Sequence, residues 1–188
     1  MSGDARSVTL PEIQAAWPAI SAASTTFLRN FGPGFAGGHI ATDIAGAAAI
    51  AGRLLLEASG TPLEAHEPGQ VLLWESHEWE EAVIRFLRAA GTLSGLSPEW
   101  TTARTPAGDQ VPRLDTNAMT ARLREPLRIA CDNEGLAARF HPFVAGYTAV
   151  RLIAAGVELK LLPEDVGKTT AMVAVLEGAR TIPPRATD

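Results

Sequence analysis

The sequence predicts a single α/β domain in which a parallel sheet is covered by helices on both faces. Segments typical of strands alternate with segments typical of helices, and this order favours such a sheet over a helix bundle, which stays the alternative. One apolar run, residues 71–74, is continuous and follows Pro68-Gly69, as in a strand buried on both faces. The 188 residues, 46% of them hydrophobic, are enough for one domain with its own core.

The first element is a helix that makes up the N-terminal segment, residues 1–24. Thr9 and Glu12 have the spacing of a capping box and Pro11 stands in the first turn, which together mark a helix start. Pro18 predicts a break or kink in this helix, because proline has no amide hydrogen to donate to the preceding turn.

The remaining elements belong to one domain at residues 25–180, which a flexible tail follows at 181–188. Threonines and phenylalanines at 25–31 predict a short strand, whereas residues 53–58 fit either a helix or a strand. The other elements are, in chain order, a buried helix at 39–51, the strand at 71–74, an amphipathic helix at 78–90, a loop region with room for short strands at 92–114, and helices at 116–138, 141–156 and 170–179.

Three glycines before the buried helix, Gly32, Gly34 and Gly37, have the spacing G-x-G-x-x-G. Such glycines let backbone amides approach a phosphate and direct a helix N-terminus at its negative charge. Glu57 lies about 20 residues beyond Gly37, where a dinucleotide-binding fold places the acid that holds a ribose hydroxyl. The motif therefore supports either a phosphate-binding turn or a connection that only permits close packing.

Two further motifs do not predict sites. Gly167-Lys168-Thr169 resembles the end of a Walker A loop, but that loop needs a glycine at the position of Leu162. His77 and Glu81 would share a helix face, yet one such pair without further ligands predicts a solvated helix start rather than a metal site. We therefore expect no bound metal.

Asp43 stands in an otherwise apolar helix pattern. A buried carboxylate needs a partner, because an unpaired charge inside a protein is strongly unfavourable. We expect it to pair with Arg53 or Arg151 rather than to act as a catalytic base.

Composition excludes several classes of partner. The net charge is −5 and no cluster of lysine and arginine forms a basic face, which argues against nucleic acid and anionic membranes. Cys131 is the single cysteine, so an internal disulfide is impossible. The N-terminus lacks the apolar core of a signal peptide, and we expect a cytoplasmic domain.

Three segments taken together resemble the SIS (sugar isomerase) family, in particular the isomerase half of glucosamine-6-phosphate synthase. Residues 32–65 are similar to its glycine-rich loop and long helix, with Leu56-Glu57-Ala58-Ser59-Gly60 at the helix end. Residues 69–91 resemble the strand, loop and helix that follow, and residues 141–170 resemble the C-terminal part. The resemblance implies a flavodoxin-like fold with a parallel sheet, a homodimer, and binding or isomerisation of a sugar phosphate.

The same resemblance implies roles for individual residues. Glu57 would be the base that moves a proton between adjacent carbons, and Lys168 would be the partner of the phosphate or the oxyanion. His66 or His77 would open the sugar ring. Two loops would hold the ligand, with Gly34, Phe35, Gly37, Gly38 and His39 in the first and Ser76 and His77 in the second. No cofactor is implied.

Other functions stay open beside the isomerase. A single SIS-like domain could sense a sugar phosphate without turnover, as a homodimer. A nucleotide-binding α/β domain would use the same glycines, with Glu57 on the ribose. The last alternative is a dimeric structural domain whose glycines serve packing alone.

Overall fold

The computed structural model describes residues 8–72, 78–100 and 104–184, with side chains for all of these except residues 78–83. The described residues fold into a bundle of helices joined by turns and by short 3₁₀ segments. In chain order the α-helices are α1 (Leu10–Leu28), α2 (Pro33–Ala36), α3 (Ile40–Ala58), α4 (Glu78–Leu93), α5 (Thr116–Asn133), α6 (His141–Glu158) and α7 (Glu164–Arg180).

The predicted α/β fold class is wrong, because the described residues contain no sheet. Residues 25–28 complete α1, and residues 29–31 form the turn after it. Phe27 and Phe31 are four residues apart, and their rings meet edge to face with centroids 5.1 Å apart. The turn after α1 brings the two rings together, whereas a strand over 25–31 would hold them about 13 Å apart.

Helix α1 starts where the capping box predicts. The N–H of Thr9 donates to Oε2 of Glu12 at 2.8 Å, and the first helical residue is Leu10. Pro18 lies inside the helix without ending it. The inward side of α1 continues beyond the proline to Phe27, which is fully buried.

Helix α3 is the centre of the bundle. Its residues from position 41 to position 53 are all buried, and α5, α6 and α7 pack around them. A helix enclosed on every side needs no polar face, so its sequence lacks the apolar–polar period of a surface helix. Residues 53–58, which the sequence pattern fitted equally to a helix or a strand, are the last part of α3.

The backbones of α3 and α7 touch where the two helices cross. A Cβ on Gly52 would lie 2.0 Å from the carbonyl oxygen of Val175, and a Cβ on Gly178 would lie 2.1 Å from the carbonyl oxygen of Ala49. Real Cβ atoms essentially never approach a backbone atom this closely. The glycines therefore set the distance between the two helices.

The start of α7 lies beside the start of α3. A Cβ on Gly156, in the last turn of α6, would be 2.2 Å from Cδ2 of Leu162 and 3.1 Å from Cγ1 of Ile40. Leu162 precedes α7 by two residues and Ile40 is the first residue of α3. Since Gly178 meets α3 much further along, α3 and α7 run in the same direction.

The apolar run expected as a central strand instead contacts the end of the chain. Val71 makes an isolated antiparallel bridge with Thr181, and residues 73 and 74 lie outside the described residues. Leu72 packs with Leu56 and Ile182 in a small apolar cluster beside the main core. In the described part of the run, Leu72 is thus buried in a local contact with the end of the chain.

Three helix ends share one hydrogen-bond pattern with a residue of positive φ. The N–H groups of Leu96, Leu136 and Leu161 donate to carbonyls five residues earlier, at 2.8–3.0 Å. The residue before each leucine has a φ of 82° at Gly95, 65° at Gly135 and 57° at Lys160. Glycine adopts this conformation freely, whereas a side chain makes it unfavourable by about 1–2 kcal/mol.

Replacing Lys160 with glycine is therefore expected to stabilise the protein by about 0.5–1 kcal/mol, after the larger chain entropy of glycine in the unfolded state is subtracted. Chemical denaturation of both proteins measures the change. Lys160→Ala is the control, because alanine keeps the Cβ and with it the strain. Equal stability of the glycine and alanine variants would contradict the prediction.

Among the described residues, the segment Ala138–Glu158 is long and apolar enough to cross a membrane by length and composition. Of the most apolar 18-residue stretch within it, 67% is buried in the bundle. Its apolar character is therefore accounted for by packing in the bundle.

Candidate functional site

The glycine-rich segment between α1 and α3 is a turn whose amides bond within the turn itself. The N–H groups of Phe35 and Ala36 donate to the carbonyl oxygen of Gly32 at 3.0 and 3.2 Å. The N–H of His39 donates to the carbonyl oxygen of Ala36 at 3.2 Å. The ring of Phe35 is buried and packs edge to face on Phe31, with centroids 5.4 Å apart. These three amides are thus not directed at a ligand.

The other glycines of the segment are exposed. Gly37 and Gly38 have φ values of 64° and 78°, so they turn the chain into α3. Gly34 lies in α2, a helix of four residues, and a Cβ there would meet nothing within 4 Å.

His39 has both ring nitrogens engaged. Nδ1 lies 2.7 Å from Oγ1 of Thr42 and caps α3 by accepting from the N–H of Thr42 at 3.3 Å. Nε2 lies 2.5 Å from the carbonyl oxygen of Asp109, an arrangement that assigns the proton to Nε2. Oγ1 of Thr42 in turn accepts from the N–H of Arg113 at 2.8 Å. The predicted ligand residue His39 thus holds residues 109–113 onto the start of α3.

Asp43 is 3% exposed and its partner differs from the expected one. Oδ2 accepts from the N–H of Gly32 at 3.1 Å, and Oδ1 has no hydrogen-bond partner among the described residues. Burial raises the pKa of Asp43 from 3.8 to about 6, and the bond from Gly32 opposes the rise. Arg151, one of the two expected partners, donates to Oγ1 of Thr25 instead, at 2.8 Å.

Lys168 is 5% exposed and its ammonium group is surrounded by acceptors. Nζ donates to the carbonyl oxygen and Oγ of Ser97, at 2.7 and 2.9 Å, and to the carbonyl oxygen of Glu99 at 3.0 Å. It also forms an ion pair with Glu164. A depression of about 290 Å³ lies here, lined by Ser97, Glu99, Glu164, Asp165 and Lys168. Because its ammonium group already contacts four acceptors, Lys168 holds the segment after α4 against the start of α7.

Of the predicted ring-opening and second-loop residues, only His66 is described. It follows the 3₁₀ turn Leu63–Ala65, and its N–H donates to the carbonyl oxygen of Leu63 at 3.2 Å. Ser76 and His77 lie outside the described residues.

Glu57 belongs to a cluster around Arg53, a buried side chain of the described core whose hydrogen-bonding groups are only partly satisfied. We call Arg53, Glu57, Asn117 and Arg124 the arginine cluster. Arg53 is 2% exposed, and its Nη2 donates to Oδ1 of Asn117 at 3.0 Å. Its Nε and Nη1 have no hydrogen-bond partner among the described residues. Glu57 forms an ion pair with Arg124.

Positive and negative charges alternate across the arginine cluster, in the order Arg53, Glu57 and Arg124. Burial lowers the pKa of Arg53, Glu57 acts to raise it, and Arg124 lowers it further. The carboxylate of Glu57 is therefore close enough to offset part of the charge of Arg53 while it is bonded to Arg124. A guanidinium still prefers charge-assisted hydrogen bonds to an anion, and two of its nitrogens lack them.

The first turn of α5 forms one wall of the arginine cluster. Asp115 caps this helix by accepting from the N–H of Ala118 at 2.9 Å, and Asn117 lies in the first turn. Thr116 ties the turn to α7, with Oγ1 donating to Oε2 of Glu177 at 2.8 Å. Arg53 thus lies at the positive end of the α5 dipole, which favours a negative charge nearby.

The structure does not bring the predicted site residues together. His39 and Glu57 stand at opposite ends of α3, and 18 residues of helix correspond to roughly 27 Å. Lys168 is in the first turns of α7, which lie beside the start of α3, and so it is also far from Glu57. Of the predicted catalytic residues, only Glu57 lies in the arginine cluster.

The sequence does carry one signal for the residue that was missed. Arg53 interrupts an apolar run between Asp43 and Glu57, and the sequence pattern predicted it only as a partner for Asp43. Charged residues are almost never fully buried unless they are paired. Its partner Asn117 is 64 residues away in the sequence, so no local pattern joins them.

No protein-family model, no curated protein and no solved structure matches the chain. Nor do any three His, Cys, Asp or Glu side chains lie close enough together to hold a metal ion, within the part of the chain that the structure describes. The SIS family and the isomerase activity that the resemblance implied therefore have no support from known proteins, and the described residues lack the implied parallel sheet.

Proposed function

We propose that the chain binds a small phosphorylated ligand at the arginine cluster. The observation that carries this proposal is the guanidinium of Arg53, which is buried and yet leaves Nε and Nη1 without an acceptor. Leaving such a group unsatisfied is unfavourable by about 1–3 kcal/mol or more. A bound anion removes that penalty.

Phosphate fits the chemistry of the cluster better than a neutral ligand. Guanidinium groups bind phosphate oxygens through paired N–H donors, and helix N-termini favour the same charge. Arg53 and Arg124 supply the donors, and the first turn of α5 supplies the dipole. Since the cluster also contains Glu57, a ligand with one phosphate group suits it better than a polyphosphate.

The sequence-based predictions about partners and location are part of the same proposal. We propose a homodimer in the cytoplasm that binds neither nucleic acid nor membranes, and a sugar phosphate as the first class of ligand to test. Light scattering on the purified protein measures the oligomeric state.

The test is a thermal-unfolding panel on the purified chain. The ligands are inorganic phosphate, hexose and amino-hexose phosphates, the matching unphosphorylated sugars, and NAD. A ligand at 100 times its dissociation constant stabilises a protein by about 2.7 kcal/mol. In a domain of this size that raises the unfolding midpoint by about 5–10 °C. We expect the phosphorylated compounds to raise the midpoint and the unphosphorylated sugars to leave it unchanged.

Replacing Arg53 with methionine is expected to remove this response while stabilising the ligand-free protein by about 1–2 kcal/mol. Methionine fills the space of the aliphatic part of arginine, and apolar replacements of buried ionic groups are often neutral or stabilising. Denaturation with and without phosphate measures both effects.

Arg128→Met is the matched control, because it removes a positive charge from α5 at an exposed position that pairs with Glu125 and Asp132. It should keep the response to phosphate. A response that survives in Arg53→Met, or its absence in the unaltered chain, would overturn the proposal.

A further inference from the structure

We infer that Glu57 occupies the anion position of the arginine cluster in the ligand-free protein, and that the ligand must displace it. This inference rests on the proposed function and adds its regulation. It makes Glu57 an internal competitor of the ligand, where the sequence predicted a catalytic base.

The placement of Glu57 supports this role. Glu57 stands four residues after Arg53 on α3, the spacing at which two side chains share a helix face. From there it reaches across to Arg124 on α5 and forms an ion pair. Its carboxylate is thus held between a buried arginine and an exposed one, which is where an anionic ligand would bridge them.

Glu57 is an incomplete substitute for such a ligand. It offsets charge at Arg53, yet Nε and Nη1 of Arg53 still lack a hydrogen bond within the described chain. A carboxylate has two oxygens, and one of them is bonded to Arg124. A phosphate monoester offers three terminal oxygens, enough to reach both guanidinium groups at once.

Glu57 and Arg124 form the side of the arginine cluster that faces water. The side chains of Glu57 and Arg124 are 29% and 56% exposed, whereas Arg53 is buried. Glu57 also lies in the last turn of α3, one residue before the helix ends. A change of its side-chain torsions moves the carboxylate into water, away from both arginines.

The experiment measures inorganic phosphate binding by calorimetry to the full chain and to Glu57→Gln. Glutamine keeps the shape and removes the competing charge, so we expect phosphate to bind at least about tenfold more tightly. Glu177→Gln is the matched control, because Glu177 is an exposed acid near the first turn of α5 that bonds to Thr116 instead of the arginines. Its effect should stay below about threefold, as salt screens exposed charges.

The outcomes separate this inference from the proposed function. Phosphate binding by the unaltered chain with equal or weaker binding by Glu57→Gln overturns the inference and leaves the binding site standing. An equal gain in affinity in Glu57→Gln and Glu177→Gln also overturns it, because the loss of any nearby negative charge would then explain the tighter binding. No phosphate binding by any of the three proteins overturns both. Tighter binding by Glu57→Gln alone supports both.

Discussion

Replacing Gly178 with alanine is expected to lower the free energy of unfolding by roughly 3–4 kcal/mol, because the new Cβ would lie 2.1 Å from the carbonyl oxygen of Ala49. The atom it meets belongs to the backbone of α3, so no side-chain rotation relieves the clash. Alanine in place of glycine stabilises a helix by about 1 kcal/mol, and here the steric term exceeds that gain.

The unfolding midpoint should fall by about 10 °C in a domain of this size. Gly52→Ala faces the same crossing from α3 and is expected to behave alike, since its Cβ would lie 2.0 Å from the carbonyl oxygen of Val175. Thermal and chemical denaturation of both variants give the values.

Gly34→Ala is the matched control for the crossing glycines. Its Cβ would meet nothing within 4 Å, and its φ is not positive. We expect unchanged stability or a small gain, because alanine restricts the unfolded chain. If Gly178→Ala were as stable as Gly34→Ala, the two helices would be further apart than described.

Packing at this crossing also explains why the sequence predicted the wrong fold class. The helix starts that depend on local chemistry were predicted correctly, as at Thr9-Leu10 and at His141-Pro142. The sheet was inferred from segments whose structure depends on distant contacts. Helix α3 lacks an amphipathic period because three other helices enclose it, and a short run such as Val71-Leu72 has no period at all.

The candidate site was predictable only in part, for a similar reason. Glu57 was named from the sequence, but the roles of its neighbours depend on α5 crossing α3. That crossing brings Asn117 to Arg53 and Arg124 to Glu57, over separations of 64 and 67 residues. Lys168 was named from the family resemblance, and its four acceptors come mainly from a loop 69–71 residues earlier. Ligand chemistry therefore cannot be assigned from a charged residue until its long-range partners are known.

The pH dependence of stability is expected to reveal the buried carboxyl of Asp43. Burial raises its pKa from 3.8 to about 6, so the folded protein holds this proton over a range in which the unfolded chain has lost it. Stability from this group is fully present below about pH 3.8 and is lost as the pH rises through about 6. The loss amounts to about 3 kcal/mol, at 1.36 kcal/mol for each unit of pKa difference.

Other carboxyl groups act in the opposite direction and at lower pH. The pKa values of Glu12, Glu125 and Glu164 are lowered, so their contributions are lost as the pH falls below about 4.5. A single curve for the unaltered protein therefore mixes both effects. The difference between the protein and its Asp43→Asn variant isolates Asp43, since asparagine keeps an oxygen for the N–H of Gly32 and does not titrate.

Urea denaturation of both proteins from pH 4 to pH 7 measures this difference. We expect the variant to gain about 2–2.5 kcal/mol relative to the unaltered protein over that range, whatever the offset between them at pH 4, because the rest of the change lies below pH 4. A constant difference would mean that Asp43 is already ionised at pH 4 in the folded state. A cation or a hydrogen-bond donor would then lie against Oδ1, the atom that has no partner among the described residues.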